Sequence, residues 1–180
     1  VDKMRSKWTS IEHYICYDPP EGSDALGFEE WIGAQDGDYH WATIDERDPC
    51  MLCYTSGTTG NPKGVLYEHR STVLHALAAI QPAAFAFDAS SVMLPVVPMF
   101  HAASWGLPFA GAMAGIKFVF SAVNEPAVLC DLMERENVTD SAGVPTVWLA
   151  TFQYCDANDR PLPKLRAATI GGSAAPKFMI

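Results

Sequence analysis

Beyond residue 49 the chain alternates short apolar runs with stretches whose large side chains recur every three or four positions. The run 50–54 reads as a strand that feeds a glycine-rich segment, and Val65, Leu66 and Tyr67 form a short strand beyond it. Residues 69–80 read as a helix, with Val73, Leu74, Leu77 and Ile80 near 3.6-residue spacing. A buried strand follows at 91–97, then a small-residue helix at 104–114 stopped by Gly115, and a strand at 117–120. Asn124 is placed to cap a helix at 125–136, whose Val128, Leu129, Leu132 and Met133 share one face. Val138 and Thr139 begin another strand, 145–154 reads as helix, and 165–170 as a strand ending at Gly171-Gly172. The final residues, 174–180, open as a helix with Pro176 near its first position.

Repeated strand–helix–strand units predict an α/β fold, a mainly parallel sheet flanked by helices. Ligands of such sheets collect where strands end. The glycine-rich segment, residues 98–105 and residues 171–174 all follow predicted strands and are expected to converge on one crevice. No repeat or linker divides the chain after residue 49. Residues 50–180 are therefore expected to belong to one domain and 1–49 to form an acidic connecting segment packed on its surface.

Composition sharpens this picture. The chain has 180 residues, 49% of them hydrophobic, and a formal net charge of −9. That charge argues against non-specific nucleic-acid binding. Ten Asp or Glu residues stand against the single Arg47 between Asp18 and Asp48, which reads as a solvated stretch of little regular structure. Lys63 and Arg70 outnumber Glu68 in the 54–75 region and would draw an anion there. Five cysteines, an odd number, without a secretory segment favour free thiols and a cytoplasmic setting. Cys50-x-x-Cys53 lacks a second such pair to complete a zinc site, and on a strand its members face opposite ways, so structural thiols in a buried strand are expected. No apolar run is long enough to span a bilayer. The first residue is not methionine and the last helix is cut short, so a piece of a longer protein is expected.

The densest chemistry lies at 54–64, Y-T-S-G-T-T-G-N-P-K-G. Glycines permit tight turns that expose backbone N–H groups, hydroxyls add donors, and Lys63 adds a mobile cation, a combination suited to polyphosphate. A Walker A loop would need glycine before the lysine and a hydroxyl residue after it, whereas Lys63 lies between Pro62 and Gly64. Three further stretches stand out: P-M-F-H-A-A-S-W-G at 98–106, G-V-P-T-V-W at 143–148 and I-G-G-S-A-A-P at 170–176. Taken singly, His101 reads as a structural histidine, Trp105 and Trp148 as core, and the paired glycines as a tight turn.

The four stretches in this order resemble the adenylate-forming enzymes: acyl-CoA synthetases, firefly-type luciferases and the adenylation domains of peptide synthetases. The resemblance is nearest to medium- and long-chain fatty-acyl-CoA synthetases and covers residues 50–180, part of their large N-terminal domain. It implies that a carboxylic acid reacts with ATP to give acyl-AMP and pyrophosphate, after which coenzyme A displaces AMP. It further implies that Thr55, Ser56, Gly57, Thr58, Thr59, Gly60 and Lys63 hold the phosphates, with Mg2+ bridging them and Thr55 as a ligand. By the same resemblance Gly172, Ser173 and Ala174 contact the adenylate, while His101, Trp105, Gly143 and Val144 line the acid pocket. Lys63 and His101 would then be the catalytic pair, His101 orienting the acid and Trp105 walling or gating the acyl channel.

Amino-acid-activating relatives place an aspartate after the phenylalanine, where this chain has His101. The sequence F-D-A-S at 87–90 mimics that pattern but precedes the strand. Asp140 departs from the family, which tends to apolar residues there. The family's acidic magnesium motif, its ribose-binding aspartate, its hinge and its C-terminal lysine have no counterpart in these residues, so the chain alone is expected to be catalytically silent. Uncovered apolar surface would favour self-association, with a homodimer as one outcome. An aryl-acid or luciferase-like ligase and a nucleotide-binding module without chemistry are the competing readings.

Overall fold

The computed structural model describes residues 2–55 and 60–179, which form two compact units, 1–43 and 44–180. In the first unit, α1 (Asp2–Arg5) precedes two short parallel strands, β1 (Ile15–Cys16) and β2 (Leu26–Gly27), and a helix α2 (Phe28–Gly33). The Arg5 guanidinium lies 4.1 Å above the Tyr14 ring, and Trp8 stacks on the same ring at 6.4 Å. Arg5 also pairs with Asp24. Aromatic and cation–π contacts thus give this acidic stretch its local order.

The second unit begins with an antiparallel hairpin, β3 (Pro49–Thr55) and β4 (Lys63–Glu68), closed by the pairing of Thr55 with Lys63. Helix α3 (His69–Ala79) follows directly. The Ser71 hydroxyl accepts the Glu68 N–H and donates to the Glu68 carbonyl, satisfying groups that the first turn would otherwise leave open. The remaining elements are β5 (Val92–Pro95), a short turn α4 (Ala102–Trp105), α5 (Leu107–Ala114), β6 (Lys117–Phe118), α6 (Pro126–Arg135), β7 (Asp140–Gly143), α7 (Pro145–Ala157) and β8 (Ala167–Ile170). A 3-10 turn at Lys177–Met179 closes the described chain. Strands β6, β5, β7 and β8 form one parallel sheet in that order, as the strand–helix alternation predicts.

Two apolar clusters cover the sheet. Met93, Val97, Leu107, Ala110 and Ala142 pack with Ala76 and Ala79 of α3, while Leu94, Val96, Leu129, Met133 and Trp148 form the other cluster with α6 and α7. Side-chain alternation along an extended chain explains the division, since Met93 and Val97 enter one cluster and Leu94 and Val96 the other. Leu94, Leu107 and Leu129 are fully buried, each stabilising the unit by roughly 2 kcal/mol.

Several details differ from the sequence pattern. The glycine-rich segment joins the two strands of an antiparallel hairpin outside the parallel sheet, and β3 is largely exposed, with Leu52 and Tyr54 uncovered. Cys50 is therefore an exposed thiol, donating toward the Tyr67 carbonyl at 3.4 Å, rather than a residue of a buried strand. Helix α3 buries Ala76 and Ala79 and leaves Val73, Leu74 and Leu77 exposed, because those two alanines permit the close approach to α5. The helix expected from 104 starts at Leu107, because Gly106 has φ 74° and the four residues before it are left-handed. Glu125, not Asn124, stands at the α6 N-cap, since Pro126 occupies the first turn and restricts the preceding residue to extended backbone.

Asp140 opens the buried strand β7 and is itself buried. Its carboxylate accepts Arg166 Nη2 at 2.7 Å and the Thr139 hydroxyl at 2.6 Å. Arg166 continues outward, donating to the Ala86 carbonyl at 2.9 Å and the Phe85 carbonyl at 3.3 Å. One guanidinium thus ties the loop before β5 to β7, which accounts for an acid where an apolar residue would be expected. Arg166→Met should lower unfolding free energy by roughly 3 kcal/mol, because it leaves a buried carboxylate without its cation. Pairing it with Asp140→Asn should recover much of that loss, and urea denaturation of the four species of the double-mutant cycle measures both effects.

Candidate active site

The parallel strands β5, β7 and β8 end on the same side of the sheet, and the chain leaving each of them builds the site. After β5, residues 98–101 lead into α4, where Ala102, Ala103, Ser104 and Trp105 all have positive φ, between 46° and 56°. This single left-handed turn costs about 1–2 kcal/mol per residue and must be held by its surroundings. The buried Ser104 hydroxyl supplies one restraint, donating to the Val97 carbonyl at 2.8 Å. The Ser104 and Gly106 N–H groups supply two more, donating to the His101 and Ala103 carbonyls at 3.0 and 3.1 Å.

The turn presents Trp105 to the end of β8. A Cβ built on Gly171 would lie 2.8 Å from the indole, so the ring rests where glycine alone leaves room. Beside it, Gly172 has φ 81°, and a Cβ there would come within 3.1 Å of the Val144 side chain. The Gly171 N–H donates to the Gly143 carbonyl at 3.4 Å. Trp105, Gly143, Val144, Gly171 and Gly172 are therefore brought together. Val144 is also the N-cap of α7, which sets the positive end of that helix beside Gly172. Ser173 and Ala174 lie exposed on the same turn.

Trp105 also lines a cavity of about 380 Å3 whose other walls include Met51, Tyr67, His75 and Phe109. The lining is mainly apolar and comes from the hairpin, α3, α4 and α5, so the hairpin stands beside the tryptophan-bearing segment. His75 is a residue the sequence pattern missed. Its imidazole packs so closely on Gly106 that a Cβ there would lie 2.6 Å away. A single histidine among apolar helix positions gives no signal of such packing. Ser104 was equally hidden, since nothing in a serine flanked by alanine and tryptophan announces a buried restraint.

At the hairpin tip, the Thr55 hydroxyl donates to the Lys63 carbonyl at 3.5 Å, and Gly60 has φ 126°. The Lys63 ammonium is exposed and has no ion-pair partner among the described residues. Ser56, Gly57, Thr58 and Thr59 lie outside the described residues. Arg70 does not add a free positive charge as the sequence suggested, because it pairs with Glu46 at 2.6 Å. The His101 imidazole is exposed at the start of the left-handed turn, with no hydrogen-bond partner among the described residues. No group of three or more His, Cys, Asp or Glu side chains could hold a metal among the described residues. Trp148 is a core residue whose indole nitrogen sits against Gly143, buried without a partner among the described residues.

Comparison with known proteins bears on this arrangement. The chain is 41% identical over 181 residues to a long-chain-fatty-acid–CoA ligase of Thermus thermophilus, a match covering 100% of the chain and 33% of the relative. It is 44% identical over 156 residues to a medium-chain-fatty-acid–CoA ligase of Ectopseudomonas oleovorans, covering 86% of the chain and 29% of the relative. The chain thus spans about a third of the length of the curated relatives it matches. The solved anthranilate CoA ligase AuaEII, in complex with anthranoyl-AMP, superposes with a TM-score of 0.84 at 25% identity, covering 99% of this chain and 35% of that one. The N-terminal-domain α/β architecture is therefore the one that the strand–helix pattern and its motifs anticipate. The AMP-binding enzyme family matches residues 2–179, and the chain belongs to that family.

Proposed function

We propose that the protein carrying this chain is an ATP-dependent ligase that joins medium- or long-chain fatty acids to coenzyme A through an acyl-adenylate. The observation that carries this reading is the seat of Trp105. One face of its indole meets the Gly171 turn, and the residue also lines the apolar cavity of about 380 Å3. That volume falls in the range of small-molecule pockets. In this reading the acyl chain enters the cavity and its carboxylate stays near His101. Gly172, Ser173 and Ala174 border the adenylate.

The substrate acid is ionised at neutral pH, so adenylation needs no general base. It needs its negative charges offset and its reacting oxygen aligned with the α-phosphate. Lys63 suits the first task, being a cation without a partner among the described residues at the mouth of the hairpin. Residues 56–60 would add backbone and hydroxyl donors. His101 would orient the carboxylate, since an imidazole offers a donor where an aspartate would repel it. The positive end of α7 favours the same anionic groups.

Magnesium, when bound with the nucleotide, would offset phosphate charge. The exposed Thr55 hydroxyl fits a role as one neutral oxygen ligand, with phosphates and water supplying the others. The thiol of coenzyme A then attacks the acyl carbonyl and AMP leaves. A cytoplasmic setting and a homodimer remain part of this proposal. For the structure itself, no described helix is long and apolar enough to cross a membrane.

Incubating the full-length protein with ATP, coenzyme A and acids of graded chain length should release pyrophosphate fastest with medium or long alkyl acids. A preference for aryl acids would favour the competing ligase reading, and ATP binding without pyrophosphate release would favour a non-catalytic module. Lys63→Ala should slow pyrophosphate release by about 10²-fold, the scale for losing one charge-stabilising donor. Trp105→Ala should shift the preferred chain length upward by enlarging the cavity, which the same series of graded acids measures. The 180-residue chain alone should form no thioester, which a coenzyme A consumption assay can check.

A further inference from the structure

Two thiols that the ligase reading does not use meet inside the second unit. Cys130 lies on α6 and Cys155 in the last turns of α7, both buried, with their sulfurs 3.8 Å apart. The same helix pair is clamped by Arg160 just beyond α7. Its guanidinium donates to Asp131 at 2.7 Å and to Glu134 at 2.9 Å, and the Arg160 backbone N–H donates to the Cys155 carbonyl at 2.9 Å. A surface hollow of about 400 Å3, lined by Cys155, Asp156, Asp159, Arg160 and Pro161, reaches this end of α7.

We propose that Cys130 and Cys155 are an oxidation site, forming an intramolecular disulfide that staples α6 to α7 when a hydroperoxide reaches Cys155 through that hollow. A disulfide needs the sulfurs at about 2.05 Å, so the two helices must close by less than the width of an atom. The pairing bridges 25 positions of sequence without any change in topology.

The chemistry balances as two steps. The Cys155 sulfur, losing its proton, attacks one peroxide oxygen. The O–O bond breaks, the departing oxygen takes a proton and leaves as water or alcohol, and Cys155 becomes a sulfenic acid. The Cys130 sulfur then attacks the sulfenic sulfur, the S–O bond breaks, and the oxygen departs as water with the proton from Cys130. The two thiols lose two electrons and the peroxide gains them.

Burial and the hydrogen bond with Cys155 push the Cys130 thiol up to about 12, so Cys130 is held as a protonated thiol while the helices are closed. A protonated thiol attacks free peroxide poorly, which leaves Cys130 the second role, where the electrophile is already seated on the neighbouring sulfur 3.8 Å away and the departing oxygen takes its proton. Cys155, which lines the hollow, suits the first. Cys16, Cys50 and Cys53 lie nearer solvent, and none of them has a second sulfur in contact among the described residues.

The test treats the folded full-length protein with graded hydrogen peroxide, unfolds it, alkylates remaining thiols and maps non-reduced peptides by mass. The expected result is a cross-linked peptide pair containing Cys130 and Cys155, lighter by two hydrogens and released by dithiothreitol. Oxidation should also raise the urea midpoint, because it closes a loop in the unfolded chain. Cys130→Ser, whose fold circular dichroism can verify, should abolish the cross-link and leave a dimedone-reactive sulfenic acid at Cys155. Full alkylation of both Cys130 and Cys155 at doses that oxidise Cys50 would overturn the proposal. So would a cross-link from either residue to a different cysteine.

Discussion

The left-handed turn at Ala102–Trp105 is the constraint on which the site depends. Four consecutive residues with side chains adopt a backbone that each of them disfavours. The strain is local, and beside the turn's own backbone bonds the restraints come from elsewhere: the Val97 carbonyl just past β5 that accepts the Ser104 hydroxyl, the His75 ring against Gly106, and the Gly171 backbone beneath the indole. An ordinary right-handed continuation would merge the turn with α5 and carry Trp105 around the helix, away from β8. The turn thus converts burial in the sheet into the position of one large side chain.

The paired glycines belong to the same device. At Gly171 the deciding property is the missing side chain, because any Cβ would collide with the indole, whereas at Gly172 it is also the positive φ. Two adjacent glycines therefore serve two physical needs. The contact also joins the ends of two strands that are not neighbours, since β7 lies between β5 and β8. A change at Trp105 should then be felt at the turn bordering the proposed adenylate position, although the residue also lines the apolar cavity.

Much of the sheet was legible in the sequence because its signals are local. Runs such as 91–97 and 165–170 contain the observed strands, and apolar periodicity located α6. Burial faces were less legible. Val73, Leu74 and Leu77 look like a core stripe, yet α3 packs through Ala76 and Ala79, since small residues decide how closely helices approach. Asp140 looked anomalous because its partner Arg166 is distant in sequence. The left-handed turn could not be read at all. Its alanines and serine suit a helix, and the restraints that reverse its hand come from three other segments.

The same reasoning separates two kinds of polar burial in this chain. Asp140 and Arg166 lock the start of the sheet, opposite the strand ends that build the site, and each has several partners. Such a network resists rearrangement because breaking one link exposes unpaired polar groups in a poorly solvated place. Ser104 lies at the other end, where one hydroxyl bond to Val97 and two backbone bonds hold a turn against its own preference. The sheet is consequently firm at its base and held by fewer, more strained contacts where ligands would bind. Under the proposed ligase function that distribution is apt, because a turn held by few contacts against its own preference yields to binding energy more readily than the paired base of the sheet.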